Sequence, residues 1–191
     1  ANYCFDTTNN RLDMYHPADL TIILNGVSYF YEEVGVRMKG NTSKNSEFVN
    51  ENGKFSAFVH YKISFKETFD DEEDNDYYIR SWNDDASRKQ RKNRRLAGME
   101  KIDLKWNKNY DSTFSRQAYA LNCFNDVGLL AQKSNIVKIN VKSETDSYNA
   151  YYELLECIDE TFISRRFPED EASGDLYKCT YTREGQASLT S

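Results

Sequence analysis

The fold is decided by the stretch LTIILNGVSYFYEEVGVRMK, residues 20–39. Apolar residues occupy every second position at its two ends, and these are Leu20, Ile22 and Leu24, then Val34, Val36 and Met38. Side chains alternate between the two faces of a strand, so this period of two predicts two strands that each turn one face to a core. Asn25-Gly26 between them suits a two-residue turn, which needs positive φ values. We therefore predict an antiparallel β-hairpin.

Further strands are predicted by the same alternation downstream. Residues 55–65 form the third, with His60, Lys62 and Ser64 on its polar face, and residues 96–106 form a short fourth. Residues 136–141 and 150–158 form a second hairpin around a polar turn at 143–147. Residues 174–181 are expected to form the last strand. This order of strands favours an antiparallel sheet over alternating βαβ units.

One long helix is predicted over residues 112–128, where apolar residues recur at helical spacing. Asp111 or Ser112 is the expected N-cap, and Gly128 is the residue that ends the helix. Residues 159–166 are predicted to form a short amphipathic helix. The predicted fold class is therefore α+β, a mostly antiparallel sheet with one long helix.

Residues 67–95 read as a charged insertion between strands, with room for a short helix. Six cations lie between Arg88 and Arg95, and an acidic cluster, residues 70–76, precedes them. Opposite charge blocks this close neutralise one another, so a solvated loop is the main expectation, and a surface for an acidic partner or a phosphate is the alternative. The acidic cluster lacks the glycine and the distal glutamate of a regular calcium loop, which disfavours calcium.

Composition excludes several classes of function. A net charge of −6 disfavours nucleic acid as a partner, because binding phosphate backbones requires a basic face. No apolar run of about 18 residues could span a bilayer, so we expect a soluble chain with no membrane span. Four cysteines without CxxC spacing and two histidines make a zinc site improbable. Cys4, Cys123, Cys157 and Cys179 still permit two disulfides in any of three pairings.

Three stretches carry a resemblance to a known family. Residues 34–43, VGVRMKGNTS, resemble the motif vGiRfKGNsS, and residues 99–129 resemble a segment that ends in mRekLAydlfrdaGv. Residues 152–159, YELLECID, resemble YtLvEqiD, and residues 174–178, GDLYK, resemble GnLYK. Their order and spacing also agree. The chain is thus similar to the CotH-type (spore coat protein H) atypical protein kinases, and in particular to their N-terminal part.

The resemblance implies a single CotH-like domain segment over residues 1–191, similar to the N-terminal lobe of an atypical kinase fold. It also implies transfer of phosphate from ATP to protein Ser/Thr with ATP and Mg²⁺ as cofactors. The family's catalytic and metal-binding aspartates lie beyond the point that matches Lys178, so no catalytic residue and no metal ligand is identifiable here. The implied partners are a missing C-terminal segment and a protein substrate or cell-surface partner. The implied location is secreted, at the cell surface or on the spore coat.

Eight residues are candidate nucleotide contacts, and they are Arg37, Lys39, Asn41, Ser43, Lys62, Arg116, Tyr152 and Glu156. Arg37 and Lys39 leave the same strand face, and the turn after them exposes N–H donors that suit a phosphate. By resemblance Lys62 projects towards phosphate, and Tyr152 stacks on the adenine. Glu156 is expected to pair with Lys62 or Arg116. The competing interpretations are solvated strand-end cations, a core or surface tyrosine and a surface salt bridge.

A second hypothesis belongs to a different class of function. The chain would be a noncatalytic, pseudokinase-like scaffold module derived from the same fold, acting in a secreted or cell-surface assembly. Its 14 tyrosines offer flat amphipathic area for a protein or carbohydrate partner.

Overall fold

The computed structural model describes residues 14–40, 49–70, 79–106, 111–113 and 115–177. The chain divides into two compact units, Ala1–Cys157 and Ile158–Ser191. The expectation of one domain over residues 1–191 stays a prediction.

A six-stranded antiparallel sheet dominates the first unit. Its strands are β1 (His16–Leu24), β2 (Val27–Lys39), β3 (His60–Ser64), β4 (Lys101–Lys105), β5 (Ser134–Lys142) and β6 (Ser147–Glu156). Their order across the sheet is β1-β2-β3-β4-β6-β5, and every neighbouring pair is antiparallel. The helices are α1 (Asp85–Lys92) and α2 (Arg116–Asp126), with α3 (Glu160–Ser164) in the second unit. The predicted sheet-dominated α+β class is confirmed.

The two predicted hairpins are also confirmed. In the first, Asn25 and Gly26 have φ of 51° and 80°, and the flanking residues Leu24 and Val27 pair. These are the left-handed values that the Asn-Gly turn requires. In the second, β5 and β6 pair along their whole length from Lys142 and Ser147 at the turn.

A β-bulge interrupts the first hairpin. Pairing passes from Ala18 with Val34 to Leu20 with Tyr31, so Glu32 and Glu33 of β2 both lie opposite Asp19. Glu33 has a φ of 48°, and its N–H donates to the Asp19 carboxylate at 3.0 Å. The carboxylate satisfies an amide that the bulge removes from the regular ladder.

The core lies on one face of the sheet. Its buried members are Val34, Met38, Val59, Tyr61, Ile63, Phe65, Leu96, Ile102, Leu104 and Tyr152. The tyrosine hydroxyls are hydrogen-bonded there. The hydroxyl oxygens of Tyr61 and Tyr148 lie 2.6 Å apart, and the Tyr152 hydroxyl donates to the carbonyl of Val59 at 3.0 Å. The alternation read from the sequence therefore identifies the correct face.

The prediction of a solvated charged insertion is wrong for two of its arginines. Arg91 is buried, and its guanidinium donates to the carbonyls of Glu67 and Glu33. Arg94 donates to the carbonyl of Phe65 at 2.8 Å and to that of Glu32 at 2.6 Å. A guanidinium has five donors, so it can donate hydrogen bonds to the carbonyls of Glu32 and Glu33, which the bulge removes from the regular ladder. Residues 71–78, with most of the acidic cluster, lie outside the described residues.

Several predicted elements are shorter in the structure. The third strand keeps only residues 60–64. The fourth keeps only residues 101–105, because Leu96 and Met99 pair around a tight turn at Ala97-Gly98. The long helix is only α2, of 11 residues. Of the predicted strand 174–181, the described residues 174–177 are not in a strand, and the rest lies outside the described residues.

Helix α2 begins late because Asp111 organises the turn before it. The Asp111 carboxylate accepts hydrogen bonds from the amides of Thr113 at 3.0 Å and Arg116 at 2.7 Å. At the other end Gly128 has a φ of 80°, and the amides of Gly128 and Leu129 donate to the carbonyls of Asn125 and Phe124. Gly128 therefore ends the helix as predicted, in a Schellman motif.

Candidate functional site

Charged side chains gather on the face of the sheet opposite the core. The strand registers set Arg37 of β2 beside Lys62 of β3, and Lys62 beside Asp103 of β4. Directly opposed residues of antiparallel strands point to the same face, so these three side chains form a row across the sheet. Lys39, two residues after Arg37, lies on the same face.

Asp103 is the centre of this group. It is 3% exposed, and its carboxylate forms ion pairs with Lys39 and, at 3.5 Å, with Lys62. Burial lowers the pKa of Lys62 more than any single neighbour raises it, but Asp103, helped by Cys157 and Tyr15, raises the pKa above its ordinary value. Lys62 therefore stays protonated, and one carboxylate forms ion pairs with two lysines. We call Lys39, Lys62 and Asp103 the lysine–aspartate cluster.

The thiol of Cys157 lies against this cluster. It is buried, and the Asp103 carboxylate is close enough to affect its titration. Burial, and then the neighbouring Asp103 carboxylate, raise the pKa of the Cys157 thiol to about 12. The side chain is therefore a neutral thiol at physiological pH and adds no negative charge.

Arg37 reaches a different neighbour. Its guanidinium carbon lies 5.4 Å from the centre of the Tyr15 ring, and it is hydrogen-bonded to that tyrosine. Burial raises the pKa of Tyr15, so the phenol is neutral beside the cation. Arg37 thus adds a positive charge next to the lysine–aspartate cluster.

His60 borders the cluster as a neutral group. It pairs with Lys39 across β2 and β3, and its Nδ1 accepts a hydrogen bond from the backbone N–H of Trp106 at 2.9 Å. Burial, with help from Lys105 and Lys39, lowers the pKa of His60 to about 4. A neutral imidazole in this position serves as a hydrogen-bond acceptor.

Two predicted contacts lie elsewhere. Tyr152 has no exposed surface and packs in the core, on the opposite side of the sheet from Lys62, so its ring offers no face to a base. Glu156 pairs with Ile102 and so shares the core-side face, where its carboxylate accepts from the Lys133 amide at 3.1 Å. The carboxylate that pairs with Lys62 is Asp103, not the expected Glu156. Glu156 fails this expectation because the register turns it away from Lys62.

The other predicted residues are less closely connected to the cluster. Arg116 has a side chain that is 79% exposed and lies 3.8 Å from the carboxylate of Asp111. Asn41 and Ser43 lie outside the described residues. Cys123 and Cys157 are free thiols, whereas Cys4 and Cys179 lie outside the described residues.

Asp103 and Cys157 were missed at the level of the sequence. A signal for Asp103 was present, because a residue between the apolar Ile102 and Leu104 must point away from the core. Its partner strand was the missing information, since only the register sets it opposite Lys62. Cys157 follows the last residue of β6 and had no such signal.

The cluster can attract and orient an anion. Arg37, Lys39 and Lys62 outnumber the carboxylate of Asp103, and these are the groups that bind phosphate oxygens. Within the described ranges, no three His, Cys, Asp or Glu side chains come close enough to hold a metal ion. Nor does any described helix have the length and apolar composition to cross a bilayer.

Comparison with known proteins identifies the family. The model of the CotH kinase protein family matches residues 36–191, which covers most of the chain, including the last four residues of β2 and strands β3 to β6. No curated protein and no solved structure matches the chain. Together with the motifs in residues 34–43 and 152–159, the match shows that this chain belongs to the CotH kinase family.

Proposed function

We propose that the lysine–aspartate cluster binds the phosphates of ATP in a CotH-type kinase that phosphorylates Ser or Thr of a protein. The observation that carries the proposal is the convergence of Lys39 and Lys62, from neighbouring strands, on the buried carboxylate of Asp103. Membership of the CotH kinase family supports it.

The charge and exposure of the cluster suit a phosphate chain. The Lys39 side chain is 38% exposed, so its ammonium is available to a ligand, whereas Lys62 is more deeply set. Asp103 restrains both ammonium groups before the ligand arrives, which lowers the entropy lost on binding. Phosphoryl transfer depends largely on such fixed cations near the transferred group.

The family also implies a magnesium ion. The residues of the cluster suit phosphate and not the metal, because Asp103 is already committed to two lysines. When bound, the ion would neutralise part of the phosphate charge. This chain's own residues contribute the ammonium groups that orient the phosphates, and we assign no metal ligand.

Isothermal titration calorimetry with Mg-ATP tests the proposal. We expect measurable binding by the unaltered chain, and a loss of about tenfold in affinity for Lys62→Ala, because one charge-assisted contact is removed. Lys138→Ala is the matched control, since Lys138 is an exposed lysine on β5, away from the cluster, and should leave affinity unchanged.

Absence of nucleotide binding by the unaltered chain would contradict the proposal. So would equal affinity in the Lys62→Ala variant and the unaltered protein. Retained binding of a protein or glycan by Lys62→Ala, together with no nucleotide binding in either protein, would favour the noncatalytic module instead.

A further inference from the structure

The end of the first hairpin exposes an unusual amount of apolar surface. We call residues 21–30, TIILNGVSYF, the hairpin arm. Five of its ten residues are large hydrophobic side chains with exposures between 44% for Leu24 and 72% for Ile23, and the others are Val27, Tyr29 and Phe30. They lie on both faces of the arm, so turning either face to the core would leave the other in water.

The arm also lacks charge. No Asp, Glu, Lys, Arg or His occurs from Leu20 to Tyr31, in a chain of which 29% is charged. Exposed sheet edges normally carry lysine, proline or a bulge that prevents pairing with another strand. Pro17, Asp19 and the bulge provide this protection at the base of β1, but nothing equivalent occurs between Thr21 and Leu24.

The arm is held firmly at its base. The bulge at Glu32 and Glu33 is fixed from one side by Asp19 and from the other by Arg91 and Arg94. Bulges re-aim the strand that contains them, and this one lies immediately before the arm begins. The arm is therefore presented in a set direction, which reduces the entropy that a partner must offset on binding.

The outer edge of the arm has a definite hydrogen-bonding pattern. Strand β1 is at the edge of the sheet, and no strand of the described residues lies beside it on the side away from β2. In a two-residue hairpin the residues flanking the turn form a hydrogen-bonded pair, so Leu24, Ile22 and Leu20 bond inward to β2. Thr21 and Ile23 consequently direct their N–H and C=O groups outward.

We propose that β1 pairs with β1 of a second copy of this chain, antiparallel, about a twofold axis at Ile22. In this register Thr21 of one copy faces Ile23 of the other, and each pair exchanges its outward hydrogen bonds. Asp19 then faces Asn25 of the other copy, so no carboxylate meets a carboxylate. Two chains of net charge −6 repel generally, and the uncharged arm is a surface where a second copy can approach.

Sedimentation velocity across protein concentrations from about 1 to 300 µM tests the proposal. We expect a monomer–dimer equilibrium, weakened about tenfold or more by Ile23→Lys, because a lysine on the edge opposes strand pairing. Leu130→Lys is the matched control, since Leu130 is 63% exposed outside the arm, and its dimerisation should be unchanged. Circular dichroism on both variants confirms that each is folded.

Residue-resolved amide exchange examines the register. The amides of Thr21 and Ile23 should gain protection as concentration rises, and those of Ile22 and Leu24 should be protected already.

A chain that stays monomeric at the highest concentration overturns the proposal, and so does a dimer insensitive to Ile23→Lys. Monomers that co-sediment with lipid vesicles through the arm would assign it to a membrane surface instead. Nucleotide titration is independent of all these outcomes.

Discussion

Asp103 is the residue on which the polar face of the sheet depends. Its carboxylate forms ion pairs with both Lys39 and Lys62, and it is buried. Without its charge the two ammonium groups would repel each other across neighbouring strands. We therefore expect Asp103→Asn to lower the free energy of unfolding by about 2–3 kcal/mol, as when one partner of a buried ion pair is removed. Urea denaturation measures this change.

Asp126→Asn provides the comparison for Asp103→Asn. Asp126 is exposed at the end of α2, so its neutralisation should change the free energy of unfolding by less than about 0.5 kcal/mol. If both variants unfold at the same urea concentration, the assignment of Asp103 as the organising residue is wrong.

His60 makes the stability of the protein depend on pH. Its pKa falls from an ordinary 6.5 to about 4 on folding, so between these values the unfolded chain binds more protons than the folded one. Stability is therefore lost as pH falls from 6.5 towards 4. After a discount for partial exposure we expect about 1–2 kcal/mol from this group.

Substituting His60→Gln separates this effect from other titrations. Glutamine keeps a hydrogen-bond acceptor but does not titrate, so the variant should lose less stability between pH 7 and pH 4.5 than the unaltered protein. Urea denaturation at the two pH values measures the difference. His16, whose pKa is also lowered, contributes equally to both proteins. Identical losses in both proteins would contradict a neutral, buried His60.

At the scale of elements, the bulge and the helix α1 depend on each other. Arg94 of the segment after α1 donates to the carbonyls of Phe65 and Glu32, which lie on two separate segments. Arg94→Ala leaves these acceptors without their donor, and we expect a loss of about 1–3 kcal/mol in the free energy of unfolding. Urea denaturation measures it, and Lys92→Ala, which removes an exposed cation at the end of α1, is the control with little expected change.

The hairpins and the hydrogen bonds of Arg94 differ in how far they could be predicted from the sequence. Both hairpins were predictable, because alternation and turn residues such as Asn25-Gly26 are encoded within a few neighbouring positions. The role of Arg94 was not, because its acceptor Glu32 lies 62 residues away in sequence. The same holds for Lys62 and Asp103. The sequence places each on the polar face of its strand, but their pairing depends on the register between the two strands, which no local pattern determines.

Misplaced candidates have a related cause. Tyr152 and Glu156 were correctly predicted to share one strand face, and the structure turns that face to the core. The resemblance to the family placed this segment beside the nucleotide, and no local pattern indicated which face of the sheet it would occupy. Their burial is made possible by partners from distant segments, Val59 for Tyr152 and Lys133 for Glu156.

At the scale of the whole molecule, the net charge and the proposed site oppose each other. The chain carries −6 in total, so an anionic nucleotide is repelled at long range and attracted only near Arg37, Lys39 and Lys62. Salt screens both effects, but at short distance the direct contacts between ammonium groups and phosphate outweigh the long-range repulsion. We therefore expect Mg-ATP affinity to fall by a factor of about 3 to 10 between 50 and 300 mM NaCl.

Calorimetric titrations at several salt concentrations measure this dependence. In the double variant Lys39→Ala and Lys62→Ala the affinity should be lower throughout and less dependent on salt, because only Arg37 of the three cations remains. Lys138→Ala should keep the slope of the unaltered chain. A double variant that retains the full salt dependence would show that nucleotide binds through other cations, and the lysine–aspartate cluster would then be a structural ion pair in a kinase-family sheet.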